Sequence, residues 1–164
     1  MVSKAWLIVR LVLACLGAFA GLTAAPTFAH LQAYETCGLA VLSGFFAVLL
    51  VAVLSKKVHD LRRQHRYMRL RVATNSSEPL AVGPPHRLGF SPCVTTFLFV
   101  LGILGNLLGL AAMVGYGVWA GIHHEKLNAQ SHWLGIVWGW MTWKWSFGLL
   151  WETRPKREPY QEAY

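Results

Sequence analysis

The sequence predicts an all-α polytopic membrane protein, a four-helix transmembrane bundle built from two antiparallel hairpins. Three observations carry this. Hydrophobic residues make up 55% of the 164 and charged residues only 13%, about half the roughly 25% charged content of a soluble domain. The apolar residues fall into four runs, at 5–29, 37–54, 93–122 and 133–151, and about 20 residues of helix cross a ~30 Å hydrocarbon core. The joins at 30–36 and 123–132 are short, so the runs they connect must be antiparallel neighbours. A soluble enzyme, a disordered tail and a secreted disulfide scaffold are excluded, and three cysteines imply no disulfide framework.

Each run has its own character. The first carries Arg10 near its start. It also admits a leader reading, with Lys4 and Arg10 as a basic region, 11–25 as the apolar region and Thr27-Phe28-Ala29 as a small-x-small cleavage site. Cleavage there would leave three spans and the same orientation. The second run lies between Glu35 and Lys56. The third is the longest and has no charge, which implies tilt or a last turn above the membrane. The fourth holds one charge, Lys144.

Charge sets the orientation. Lys4 and Arg10, then Lys56, Lys57, Arg62, Arg63, Arg66, Arg69, Arg71 and Arg87 in the long join, then Arg154, Lys156 and Arg157 in the tail make thirteen basic residues on one side. The short joins hold only Lys126. The positive-inside rule makes both termini and the 55–92 join cytoplasmic. A net charge of +8 could suit nucleic acid, but the basic residues border apolar runs, so no nucleic-acid partner is expected. Val58, Leu61, His65, Met68 and Val72 repeat at helical spacing among the basic residues of 56–72. That stretch is expected to extend the second span as a basic helix, or to bend along the surface. Anionic lipid headgroups are its expected partner, at ~1 kcal/mol per basic residue; setting topology alone is the other reading. Residues 74–79 and 83–85 read as a linker, and the Asn75-Ser76-Ser77 sequon should stay unmodified on the cytoplasmic side.

Lipid tails give helices no hydrophobic reason to associate, so small residues that let backbones approach become important. The first span has Gly17 and Gly21, the second Ala40 and Gly44, and the fourth Gly135 and Gly139. The third has Gly105 and Gly109, continued by Ala111 and Gly115, with Gly102 adding to the surface. These faces suit a compact bundle, and equally a homo-oligomer or a larger partner. Asn106 lies near the level of Ser43, where a hydrogen bond would be worth ~0.6–2 kcal/mol; lining a pore is the alternative. Lys144 stands seven residues from Trp151, ~10 Å of helix. It is expected to snorkel to the cytoplasmic interface, or to meet a buried partner supplied by another subunit. Six of eight tryptophans lie in the fourth span. Trp133 and Trp151 suit the two interfaces, while Trp138, Trp140, Trp143 and Trp145 point around the helix.

Chemistry has less to work with. His30, Glu35, Cys37, His123, His124, Glu125 and His132 gather near the outward face, and their types suit zinc or copper. No metal site is expected, because the spacing is not that of a metal motif and interfacial histidines commonly have no ligand; His30, His123, His124 and His132 are the candidates should one exist. No histidine lies inside a run, as a haem bundle would need, so no cofactor is expected. Hydrolase-elbow, P-loop, HExxH and CxxC motifs are absent from the sequence, and an enzyme is not expected. Cys93, beside the membrane, suits S-acylation or simple packing.

Two short hairpins, cytoplasmic termini and four spans in 164 residues resemble the tetraspan layout of MARVEL and claudin-like proteins. The resemblance covers the arrangement of spans and no specific motif. Claudins carry a long first extracellular loop with a Trp, Gly-Leu-Trp and paired-Cys signature; here that loop has seven residues and Cys37 stands alone beside it. The resemblance implies an accessory role. The expectation is a non-enzymatic accessory, assembly or scaffolding subunit partnered by a larger membrane protein or complex, or by further copies of itself. A homo-oligomeric channel or small-solute transporter is the alternative, and a metal- or redox-associated membrane subunit a further one.

Overall fold

Inside a bilayer every backbone polar group has to be satisfied within its own segment, and helices meet that demand. The computed structural model describes residues 4–73, 90–124 and 132–154. Within them the order is α1 (Lys4–His30), α2 (Tyr34–Ala73), α3 (Pro92–Ile122) and α4 (Trp133–Thr153), and no strand occurs among the described residues. The Asn75 sequon and its linker, Arg87, Glu125, Lys126, Lys156 and Arg157 lie outside them. α1, α2 and α3 are long and apolar enough to cross a membrane, the make-up of an integral multi-pass membrane protein. α4 is not among the three: its tryptophans, Lys144, Thr142 and Ser146 lower its mean hydropathy.

Local sequence explains the helix ends. Ser91 caps α3, its Oγ accepting from the Val94 N–H, and Pro92 follows at the first helical position, where its missing N–H costs nothing. α1 ends in a Schellman motif. The Ala33 N–H donates to the Phe28 carbonyl and the Gln32 N–H to that of Ala29, with Gln32 left-handed at φ 59°. α2 runs unbroken for 40 residues, ~60 Å at 1.5 Å per residue and about twice the hydrocarbon thickness. Of the two expectations for 56–72, the continuous helix is the one observed. Residues 55–73 contain no Gly or Pro and are rich in Arg, Lys and Leu, which propagate helix well.

The tertiary arrangement follows the hairpins. α1 packs on α2, α3 packs on α4, and the two hairpins join along α2 and α4. Buried positions recur at alternating steps of four and three: Ala14, Ala18, Gly21 and Ala25 on α1; Leu98, Gly102, Gly105 and Gly109 on α3. On α4 they are Gly135, Gly139, Thr142, Ser146, Leu149 and Thr153, and α2 follows suit from Thr36 to Leu54. A mean step of ~3.5 keeps one seam facing its neighbour and is the repeat of left-handed supercoiling. Larger side chains, Phe46, Leu50, Leu54, Trp145 and Leu149, fill the space where the hairpins meet.

Contact distances show why small residues occupy the seams. A Cβ on Gly21 would stand 2.7 Å from the Gly44 Cα, and one on Gly109 would stand 2.5 Å from the Trp143 nitrogen. A Cβ on Gly139 would stand 2.9 Å from the Met113 nitrogen. Gly105 faces the ring of Phe46, Gly135 that of Tyr116, and Gly17 that of Trp145. Gly17 and Gly21 therefore serve different neighbours, α4 and α2. Ala111 and Gly115, read as a continuation of the α3 packing face, are exposed, and a Cβ on Gly115 would meet nothing within 4 Å. The seam leaves them because α3 turns Tyr116 and Ala120 inward beyond Gly109.

Gly109→Ala, which drives a methyl into backbone, should lower stability by about 1–3 kcal/mol. Gly115→Ala should be neutral or stabilising by up to ~1 kcal/mol, since only helix propensity changes. Thermal unfolding in detergent checks both; equal effects would refute the assigned seam. At the α1–α2 turn, Gln32→Gly should add about 0.5–1 kcal/mol by removing left-handed strain, measured in the same way.

Candidate functional site

Three groupings of polar and aromatic side chains stand out, at the two ends of the bundle and on the outside of α4. At the end carrying the N-terminus, Glu152 of α4 is nearly buried and sits between two cations. Arg10 of α1 donates from Nη1 to one carboxylate oxygen. Lys57 of α2 donates to the other at 2.5 Å and to the Glu152 carbonyl at 3.0 Å. One carboxylate thus ties three helices together. The α4 C-terminal dipole also favours cations here. Reading the sequence assigned Arg10 and Lys57 to topology and lipid and did not single out Glu152. No local signal links residues 142 and 95 positions apart.

The basic extension of α2 divides accordingly. Lys57 is turned into the bundle, and the Lys56 ammonium lies 3.9 Å from the centroid of the Phe90 ring. Arg62, Arg63 and Arg66 are exposed. Arg69 and Arg71 lie on the described helix, but their side chains fall outside the description. The half-exposed Leu61 is left without an apolar partner in the core.

At the opposite end, Glu35 of α2 accepts from the Tyr116 hydroxyl at 3.3 Å and lies 3.9 Å from His132 Nε2. The His132 ring stacks on Tyr116, and Trp119 packs against both His132 and His123. His123 Nδ1 donates to the Trp119 carbonyl at 2.9 Å, so one of its ring nitrogens closes α3. His124 follows in a left-handed conformation at φ 47°, and His30 is exposed at the end of α1. Among the described residues, His132 is the one of the four metal candidates in contact with a carboxylate, that of Glu35. Among the described residues no three His, Cys, Asp or Glu side chains gather.

Along the spans, Ser43 Oγ and Asn106 Nδ2 are buried and do not bond each other; neither atom has a hydrogen-bond partner. The expected Ser43–Asn106 bond is corrected on this point. Equal depth does not bring two side chains together when α2 and α3 belong to different hairpins and meet chiefly through Phe46 and Gly105. Cys93 is exposed in the first turn of α3. The Lys144 ammonium lies 5.2 Å from the Trp140 ring centroid and 4.8 Å from that of Trp145. The Cα–Cβ direction in a helix points toward its N-terminus, away from the near end of α4. Trp138 meets Phe28 edge-on, Trp143 stacks on Phe147, and Phe147 leans on the exposed Trp151.

The class that fold and site define is an all-helical, multi-pass membrane protein closed by an ion cluster at one end and an aromatic–carboxylate cluster at the other. No family model, curated protein or solved structure matches the chain.

Replacing Glu152 with Gln should lower stability by about 1–3 kcal/mol. This is less than the ~3–5 kcal/mol of a fully buried pair, because Arg10 and Lys57 are partly exposed. A double-mutant cycle with Arg10→Gln, read by thermal unfolding in detergent, should give positive coupling. Additive losses would show that the contact contributes nothing.

Proposed function

We propose that the chain is a non-enzymatic four-span protein acting as an accessory, assembly or scaffolding subunit of a larger membrane complex. The observation that carries this reading is the contrast between the inside of the bundle and the outside of α4. Inside, helices meet backbone to backbone at Gly21 and Gly44 and at Gly109 and Gly139, and the charges of Arg10, Lys57 and Glu152 are tied together at one end. Outside, α4 exposes Trp140, Phe147 and Trp151 around Lys144. The aromatic rings suit lipid, but a lysine inside a span is costly unless paired, and another protein could supply that pair. The tetraspan layout that the chain resembles supports the same role.

In this proposal α4 is the fourth span, and the thirteen-to-one basic asymmetry puts both termini and 55–92 in the cytoplasm. The last 19 residues of α2, beyond Leu54, would extend ~28 Å. Arg62, Arg63 and Arg66 would then meet anionic headgroups along the first turns. A homo-oligomeric channel or small-solute transporter is the second reading, favoured by the unpartnered Ser43 Oγ and Asn106 Nδ2.

Purification from native membrane in mild detergent tests the leading reading. A different membrane protein should co-purify at fixed stoichiometry; a homogeneous homo-oligomer that passes ions or solutes in liposomes would replace it with the second. Topology is checked separately. Cysteines introduced into 55–92 should resist an impermeant thiol reagent in intact cells, and glycan on Asn75 would reverse the orientation.

A further inference from the structure

We propose that the outward face of α4 is the docking surface for a transmembrane helix of another protein, one carrying an Asp or Glu at mid-membrane depth that pairs with Lys144. This rests on the accessory-subunit reading and supplies the partner's chemistry. Val137, Trp140, Lys144, Phe147 and Trp151 follow one another at steps of three and four. They form one seam ~21 Å long, on the side of α4 not covered by α2 or α3. Its apolar members are 48%, 43%, 45% and 58% exposed in that order. The spacing is the 3.5-residue repeat a second helix needs to pack along its length.

Charge decides what can occupy this seam. Lys144 is central in α4, eleven residues from Trp133 and seven from Trp151, or ~17 and ~10 Å from the ends. Its ammonium stays within the helix span between two indole rings, and a π face attracts a cation without cancelling its charge. The three acidic residues within the described segments are all elsewhere. Glu35 holds Tyr116 and lies near His132, Asp60 is beyond the span beside His59, and Glu152 is shared by Arg10 and Lys57. Over the full sequence no Asp or Glu falls within 5–29, 37–54, 93–122 or 133–151.

A second copy of this chain therefore has no intramembrane carboxylate to offer, and pairing through this face would set Lys144 against Lys144. A lysine reaching for lipid phosphate would have to leave the Trp140 and Trp145 rings beside which its ammonium lies. The remaining solution is a heterologous helix with an acidic residue at matching depth, which makes the buried cation a specificity device.

The test uses the full-length protein in phosphatidylcholine vesicles with a defined probe: a fluorophore-labelled Leu/Ala transmembrane peptide carrying one central Glu, Gln or Lys. Energy transfer from the protein should report association with the Glu peptide at least tenfold tighter than with the Gln or Lys peptide. Lys144→Arg should keep that preference, and Lys144→Leu should abolish it with unchanged thermal unfolding. Equal binding of the Glu and Gln peptides to the natural protein, or a preference that survives Lys144→Leu, would overturn the proposal. Should Lys144→Leu fail to fold, the peptide comparison on the natural protein still decides. In native membrane, a photo-crosslinker at Phe147 should capture the co-purifying protein, and Lys144→Leu should remove that crosslink. If the protein still co-purifies while the crosslink never forms, this face is wrong and the accessory role stands. If nothing co-purifies, the accessory role itself falls.

Discussion

Backbone contact between helices is the constraint from which the rest of this molecule follows. In hydrocarbon, apolar side chains gain nothing by leaving lipid for one another, so association depends on dispersion contacts at short range. Gly21 against Gly44, and Gly109 against Gly139 and Trp143, bring main chains so close that a Cβ on Gly21, Gly109 or Gly139 would meet backbone at under 3.0 Å. These contacts draw each hairpin tight. The space between hairpins is then filled by a few large side chains, Phe46, Leu50, Trp145 and Leu149, with Phe46 over Gly105, Trp145 over Gly17 and Leu50 over Gly148.

The ends are fastened differently. Near headgroups water competes for polar groups, so close packing gives way to ion pairs and hydrogen bonds. The Glu152 carboxylate links α1, α2 and α4, all three elements that close approach alone ties only pairwise. Opposite, Glu35, Tyr116 and His132 tie α2 to α3 and to the start of α4. Two buried hydroxyls find acceptors on their own helix, Thr142 donating to the Trp138 carbonyl at 2.8 Å, with the Leu39 carbonyl of α2 at 3.5 Å, and Thr153 to the Leu149 carbonyl at 2.8 Å, while Ser43 Oγ has no partner. Such bonds let polar residues sit in seams without an interhelical partner.

What remains unbalanced is on the outside of α4. Its inner face is small and close-packed, while its outer face is aromatic and cationic. If α4 is the fourth span, as proposed, a lysine near its centre calls for a partner or a path to the interface. The contrast between the two faces of one helix is the strongest physical pointer to a partner that this chain contains.

The helices, their approximate ends and their pairing into hairpins were legible from sequence, because hydropathy and loop length are local properties and lipid forbids unsatisfied backbone. The continuation of α2 past its apolar run was one of the two expectations for 56–72, and helix propensity carries it through Lys56 and Lys57 because no glycine or proline intervenes. Small residues at four-residue spacing were visible as candidates, but not which of them face a neighbour. Gly109 lies against backbone while Gly115, six residues on, lies open; their difference depends on how α3 is rotated, which packing against α4 decides. The same holds for charge. Sequence identified Lys144 as an ionisable group within an apolar run, yet only the tertiary structure set its ammonium beside the rings of Trp140 and Trp145. Arg10, Lys57 and Glu152 looked like unrelated boundary charges until three helices brought them together, because a contact between residues so far apart in the chain has no period or motif to announce it.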